Sequence, residues 1–456
     1  MAFTNVSALN LGNLLQIAFS SGVRNQLSQN YREWENIKNW RVGNTQAREL
    51  RFMIQNSYGP AAIQYRNPGT NGRAFPTAQQ VTVSEHTAYF KEIDATVEVD
   101  YSVYDRALSS PEKYAEPLGI EIMSKTTGAK RRIASDWYDD GTGVVGTAVS
   151  KSDAAINTTG RVSLVVSSTD TSRGGIGRFE FGDLLLCKQP DGSARAATGG
   201  TAFYAYKVIA KARKTDTVTL QIVSASGANN TTYTASAITA ADLFYRIGQD
   251  TNADLSETVT ADYGTLTQVP AGIESLAAAD GRLIHGITME GATAGSVLDG
   301  GADPLDANMI QEAMDQVKVN VGDDQYKWSK MCMAPESHAK LINSRETDRR
   351  FNQVTDNKRG IKYFAYIHGN DEVEAYTSEF PKKSRIYGIP EQKNGNKVFE
   401  FYGSDFKPVR AKGGDEFMLK PASSGGHENT MVSYLHGVML YICKHPAAVW
   451  TIRNFT

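Results

Sequence analysis

Gly141-Thr142-Gly143-Val144-Val145-Gly146 has the glycine spacing of a loop that cradles a pyrophosphate at a helix N-terminus. That chemistry needs a strand before the loop and a helix after it. Here a helical stretch precedes the glycines and a polar loop is expected after them, so the context argues against a dinucleotide site. Two carboxylates, Asp139 and Asp140, stand directly before the loop, and Asp371 and Glu372 form a second adjacent pair. Acid and base catalysis on a glycoside needs two carboxylates flanking the scissile bond. Sequence neighbours like these are expected as solvated or capping groups.

The seven histidines, His86, His285, His338, His368, His427, His436 and His445, show no H-x-x-x-H spacing, and the chain has no Cys-x-x-Cys. Cys187, Cys332 and Cys443 are odd in number and far apart, which fits reduced packing thiols. Neither a Walker A loop nor a G-x-S-x-G elbow is present. The stretch RETDRRFNQVTDNKRGIK carries Arg345, Arg349, Arg350, Lys358, Arg359 and Lys362 against Glu346, Asp348 and Asp356. It reads as a solvated loop with local ion pairs, or as a subunit contact or sequence-blind phosphate contact. No catalytic, cofactor-binding or metal-binding residue is assigned, no cofactor is expected, and the chain is not read as an enzyme.

The elements that would position any site are more telling. The chain has 456 residues, 41% hydrophobic and 21% charged, enough for two to four domains or one core with insertions. Its 48 basic and 50 acidic residues leave a formal charge of -2, so no global field attracts nucleic acid or an anionic membrane. Residues 1–22 lack a basic leader, and no run approaches the roughly 20 apolar residues of a membrane span. Synthesis and folding in a cytosol are expected.

Residues 1–56 read as an arm: Leu11, Leu14, Leu15 and Ala18 make a helical stripe ahead of an Asn- and Gln-rich stretch. A long hairpin is expected over roughly 61–103, with Asn67-Pro68-Gly69 and Asn71-Gly72 supplying turn chemistry. Its second run, IDATVEVDYSV from 93 to 103, alternates apolar and polar without a break, the pattern of a strand with one dry face. A helix should follow over 109–140, opened by the capping pair Ser109 and Glu112 and ended by Asp139-Asp140-Gly141. Its stretch from 118 to 140 would be about 34 Å long at 1.5 Å per residue. Hairpin and helix are each about as long as a domain is wide. An extended subunit that completes its burial against neighbours is the expectation.

Residues 150–256 change to Ser, Thr, Gly, Ala and Val, with short strand-like runs RVSLVV, FEFGDLLLC, TAFYAYKVIA and DTVTLQIVSA, the pattern of a small barrel or sandwich inserted in the chain. From 257 the reading is mixed. It predicts a helix capped by Asp306 with Met309, Ala313 and Val317 on one face, then a strand, a Pro335 break and a second helix in KMCMAPESHAKLIN. DEVEAYTSEF, KVFEFYG and EFMLKP are strand candidates, and residues 438–443 look like a buried strand.

This order of parts resembles the major capsid proteins of tailed bacteriophages. FKEIDATVEVDYSVYDRALSSPEKYAEPLGIEIMSKTTGAKRRIASDWYDDG resembles that family's extended loop and spine helix, KMCMAPESHAKLINSRETDRRF its axial-domain strand, proline and helix, and YLHGVMLYICKHPAAVWTIRNF its closing segment. The resemblance implies an α+β capsid fold with arm 1–56, extended loop 57–104, peripheral domain 105–149 with the spine helix, inserted domain 150–256, axial and part of the peripheral domain 257–430, and a returning C-terminal strand 431–456. It implies hexamers and pentamers of this chain closing into an icosahedral head around double-stranded DNA, assembled in a host cytoplasm and located in the virion. The implied partners are other copies, scaffolding, portal and decoration proteins, and DNA held without sequence specificity, with no membrane partner. The extended loop would lie over the adjacent subunit, and the short arm implies a separate scaffolding protein. A related nanocompartment shell or a phage tail component is the alternative.

Overall fold

A computed structural model describes residues 41–43, 49–57, 82–101, 124–151 except 126, 161–169, 172–193, 205–223, 238–247, 269–321 except 280, 326–344, 351–356, 360–368, 371–392, 397–403, 407–408, 418–421 and 427–456. The arm before 41, the turn residues 67–72, the Ser109 and Glu112 capping pair, and Arg345, Arg349, Arg350, Lys358 and Arg359 of the basic run lie outside these residues.

The alternating run at 93 falls in the strand Lys91–Asp100. Its partner is the chain's own strand His427–Cys443, antiparallel from Asp100 opposite Thr430 to Lys91 opposite Met439. The expected hairpin is corrected only in its strands: Lys91–Asp100, in its second run, pairs with His427–Cys443, and its first run at 61–66 lies outside the described residues. Thr82–Tyr89 pairs with Glu49–Ser57, a strand that the sequence reading placed within the arm. Local alternation fixes a strand and its faces, but not which distant strand supplies its hydrogen bonds.

His427–Cys443 is the spine of a six-stranded sheet. Met431, Val432, His436 and Met439 each have a strand partner on both sides: Lys91–Asp100 on one edge, and Met418–Pro421, Lys407–Pro408 and Phe399–Gly403 on the other. Arg41–Gly43 adds a parallel strand beside Phe399–Gly403. The buried strand expected at 438–443 is thus the end of a 17-residue element.

A second, wider sheet has seven strands in the order Ser296–Asp299, Trp450–Arg453, Arg385–Gln392, Tyr326–Met333, Asp371–Thr377, Gly360–His368 and Phe351–Asp356. Helices Ala307–Val321 and Pro335–Ser344 accompany it. Asp306 caps the first as expected, its Oδ1 accepting from the Met309 N–H at 2.9 Å. Ala307, Ile310, Ala313, Met314 and Val317 form its buried stripe. Asp306→Ala should cost about 1 kcal/mol, read as a lower urea midpoint at unchanged slope. Pro335 takes the first helical position, where its missing N–H costs nothing.

Residues 127–136 are helical, the described end of the expected spine helix. The helix stops at Asp136 rather than at Asp140, because the Tyr138 and Asp139 N–H groups bond the Ser135 and Asp136 carbonyls and tighten the last turn. Trp137 is buried edge-on against Phe399 and Tyr441, with ring centroids 5.1 and 5.0 Å away. Tyr441 also donates its hydroxyl to the Ile133 carbonyl at 3.2 Å. Helix end, both sheets and the helix Ala307–Val321 share one core.

The inserted region closes into a six-stranded barrel built from Val144–Lys151, Arg161–Val166, Leu184–Lys188, Ala205–Ala212, Thr217–Val223 and Leu243–Arg246. Val145, Leu164, Leu185, Val208, Leu220 and Phe244 fill its interior, as the small radius of so few strands requires. The barrel begins six residues before the expected boundary at 150. Gly141–Gly146 therefore leads into a strand, not the polar loop expected, and helix-to-strand remains the reverse of a pyrophosphate cradle.

Candidate assembly surface and the charged joint behind it

The ribbon formed by Glu49–Ser57 and Thr82–Tyr89 has two unlike faces. Leu50, Phe52 and Ala88 pack with Leu440 and Ile442, and Ile54 reaches the main core. On the outer face Met53 is 74% exposed and Val83 53% exposed. Met53 lies opposite Glu85 and Gln55 opposite Val83, so the two apolar side chains are diagonal neighbours. Arg51 flanks them, 3.2 Å from Glu49 and 3.8 Å from Glu85. An apolar centre with an ion-paired rim is the composition of an interface patch.

Beside the ribbon, Lys91–Asp100 pairs through one edge, and no described strand pairs with its other edge. Asp94, directly opposite His436, holds its Nδ1 at 2.7 Å. A cleft of about 460 Å³ runs between this strand, the helix at 124–132 and the barrel segment 180–184. Phe181, 76% exposed, stands at its barrel side.

Behind these surfaces the barrel is seated on the helix end by buried charges. Arg178 donates from Nη2 to Asp139 Oδ2 at 2.8 Å and from Nη1 to the Val144 carbonyl at 2.7 Å. Asp136 lies 3.6 Å from Arg178 and 3.4 Å from Arg246. Arg246 also donates to Asp183 at 2.8 Å and to the Arg178 carbonyl at 2.7 Å. Both arginines, Asp136 and Asp139 are buried. The Asp139-Asp140 pair is therefore neither solvated nor a helix cap, which corrects the sequence expectation. Burial pushes the Asp139 carboxyl up, and Arg178 opposes it. Burial also works against ionised Asp140, but Arg173 and the Thr142 hydrogen bonds hold that carboxyl well below the usual range.

A second seam joins barrel to wide sheet. Arg213 grips Glu336 through Nε and Nη2 at 2.9 and 2.8 Å, Lys383 meets Asp216 at 2.7 Å, and Lys211 meets Glu379 at 3.4 Å. Lys382 spans Glu274 at 2.7 Å and the Ser172 carbonyl at 2.5 Å. A Cβ on Gly177 would fall 1.8 Å from the Glu379 carbonyl oxygen, so only glycine permits this seating. Burial alone would raise the carboxyls of Glu274 and Glu336. Arg385 with Lys382 outweighs it for the first, and the Arg213 hydrogen bond does so for the second, leaving both below their usual 4.5. Groups depressed in the folded state add stability above the unfolded value and lose it as pH falls through the folded one. The seam should therefore hold at neutral pH and loosen below about pH 4.5, seen as faster barrel hydrogen exchange. Glu336→Gln should remove part of that acid step.

Arg178, Arg246 and Asp136 had no signal in the sequence, since they are single charges separated by up to 110 positions. The glycines of 141–146 serve the turn into the barrel: the Gly143 N–H donates to Asp139 Oδ2 at 3.0 Å. The three cysteines are buried free thiols. Among the described residues, no group of three His, Cys, Asp or Glu is placed to hold a metal, and no helix is long and apolar enough to cross a membrane.

A long strand spine beside a flat ribbon, a helix leading into a mixed sheet, and a body finished by its own C-terminal strands together make the fold of a phage capsid subunit. The chain is similar to the cyanophage A-1(L) capsid asymmetric unit, with a TM-score of 0.52, 10% identity, and 99% of each chain covered. It also aligns with the capsid of a native GTA particle, at 10% identity over all of both chains and a TM-score of 0.46. A third alignment is with the holo-SrpI encapsulin complex from Synechococcus elongatus PCC 7942, at 10% identity, 100% and 96% coverage, and a TM-score of 0.41. No protein-family model and no curated protein matches the sequence.

Proposed function

We propose that this chain is the major capsid protein of a tailed double-stranded DNA bacteriophage, assembling into hexamers and pentamers that close an icosahedral head. The observation carrying this reading is the capsid fold, shared with the cyanophage A-1(L) subunit over 99% of both chains. The outward pair Met53 and Val83 supports it, as does the edge of Lys91–Asp100 with which no described strand pairs, because each is a surface another copy would complete. The strand 91–100 already has an intramolecular partner. A neighbouring copy would therefore cover the ribbon's outer face and the second edge of that strand.

Head-to-tail contacts with a fixed rotation close into rings, and slightly different contacts between rings curve them into a shell. Permanent interfaces of this kind bury over about 2,000 Å². The role is structural, its site the virion, and its assembly cytoplasmic with scaffolding and portal proteins. A formal charge of -2 suits a wall that encloses DNA without gripping it. The helix region forms the peripheral domain, 257–430 holds the axial domain, and the barrel stands on the outer surface, bracing capsomers or receiving a decoration protein.

Electron microscopy of the protein expressed with its candidate scaffolding partner tests the reading. Angular closed shells tens of nanometres across are expected. Tubes would favour a tail component, and dispersed monomers under these conditions would overturn the proposal.

A further inference from the structure

Met53 carries a chemistry that the assembly reading leaves unused. Its side chain is 74% exposed on the ribbon's outer face, where an oxidant can approach the thioether sulfur from solvent. The other methionines whose side chains are described are shielded from such an approach. Met289, Met314, Met331, Met333, Met431 and Met439 are each no more than 7% exposed, and Met309 packs half-buried against the main core. The cysteines do not compete. Cys187, Cys332 and Cys443 are buried free thiols, and peroxide is attacked by an accessible thiolate rather than by a thiol. Burial holds the Cys443 thiol well above its usual range, further from ionising.

The place of Met53 gives its oxidation a consequence. A sulfoxide replaces a flexible apolar group by a polar, chiral one whose oxygen accepts hydrogen bonds. On the free subunit water satisfies that oxygen. Beside Val83, the diagonal neighbour of Met53, a packed contact would strip the water away, and an acceptor buried without a donor is costly. Arg51 on the same face is already engaged by Glu49 and Glu85.

We infer that Met53 is a reversible oxidation site, converted by a hydroperoxide to the sulfoxide, and that the oxidised subunit is excluded from shells. The sulfur lone pair attacks one peroxide oxygen and the O–O bond breaks. The proton of the transferred oxygen passes to the leaving one, which departs as water, or as an alcohol from an organic hydroperoxide. Sulfur is oxidised and the peroxide reduced. Methionine sulfoxide reductases, one for each epimer, reverse the step as two thiols become a disulfide and the oxygen leaves as water. The second half of the inference rests on the ribbon's outer face being an interface, as proposed above.

The test treats unassembled full-length protein with hydrogen peroxide and then catalase. One portion is digested and mapped by mass spectrometry, and the other is mixed with the candidate scaffolding partner and sedimented. Met53 should oxidise at least about tenfold faster than the buried methionines, because only its sulfur is open to solvent. The treated parent should lose most of its shells, and both reductases with dithiothreitol should restore them. Met53→Leu should form shells before and after peroxide, since leucine keeps the apolar volume and has no sulfur to oxidise. Met1, Met123 and Met418 remain in that variant, so shells lost from it on treatment would place the damage elsewhere and overturn the inference. Met53 oxidising no faster than the buried methionines would overturn it too, as would a fully oxidised parent that assembles at normal yield. A parent that forms no shells before treatment would fault the capsid reading instead, and the oxidation rates alone would then decide the site.

Discussion

Arg178→Ala should destabilise the subunit by about 3–5 kcal/mol, a large part of the 5–15 kcal/mol that a typical domain has. The guanidinium is buried and makes bonds of 2.8 and 2.7 Å to Asp139 and the Val144 carbonyl. Removing it leaves a fully buried carboxylate and a buried carbonyl with one fewer donor, and no water replaces them at once. Much of the cost is the buried Asp139 carboxyl left without its partner rather than the worth of the pair itself. Arg178→Met with Asp139→Asn should therefore recover part of the loss, giving a coupling energy within about 0.5–3 kcal/mol. Urea unfolding of Arg178→Ala together with the four proteins of that cycle measures both quantities. A single-variant loss below about 1 kcal/mol would mean that water reaches the pair and the joint is not sealed.

The second large effect is on assembly. Met53→Asp combined with Val83→Asp should abolish shells while moving the subunit's unfolding midpoint little. Both side chains are more than half exposed, and exposed substitutions away from special features usually change stability by within about 0.5 kcal/mol. At an interface centre, the same change buries two charges in an apolar patch. Loss of a single central anchor typically costs about 2 kcal/mol or more, and a shell repeats that loss at every copy. Sedimentation velocity gives the result directly: slow subunits or capsomers in place of fast shells. Shells at normal yield from the double variant would remove the ribbon's outer face from the interface. Deleting 62–100 is the poorer experiment, because it also strips the ladder between Lys91–Asp100 and His427–Cys443 from the subunit core.

Sequence patterns announced the elements better than their partners. Strict alternation marked 93–103 as a strand, which the structure forms as Lys91–Asp100, Asp306 and Pro335 marked two helix starts, and RVSLVV and DTVTLQIVSA marked two barrel strands. Each is a local signal, carried by side-chain period or cap chemistry within a few residues. The barrel's first and last strands were missed for a local reason too. Val144–Lys151 contains Gly146 and ends in polar residues, and Leu243–Arg246 is only four residues long. Pairing of 91–100 with 427–443 is a contact across more than 300 positions, and nothing near either strand encodes it. The charged joint was hidden in the same way. Lone arginines at 178 and 246 carry no local pattern, and only closure of the barrel brings them to Asp136 and Asp139.

The placement of the two late strands sets an order of events during synthesis. The barrel uses only residues 144–246, so it has all its strands while the ribosome is still making the rest. Both larger sheets must wait, since His427–Cys443 is the middle of one and Trp450–Arg453 is an interior strand of the other. Until residues 427–453 emerge, the nascent chain carries two incomplete, sticky sheets, the kind of species that chaperones shield in cells. Yield in a foreign host should then be limited by how well the half-made chain is protected, rather than by the strength of the finished subunit.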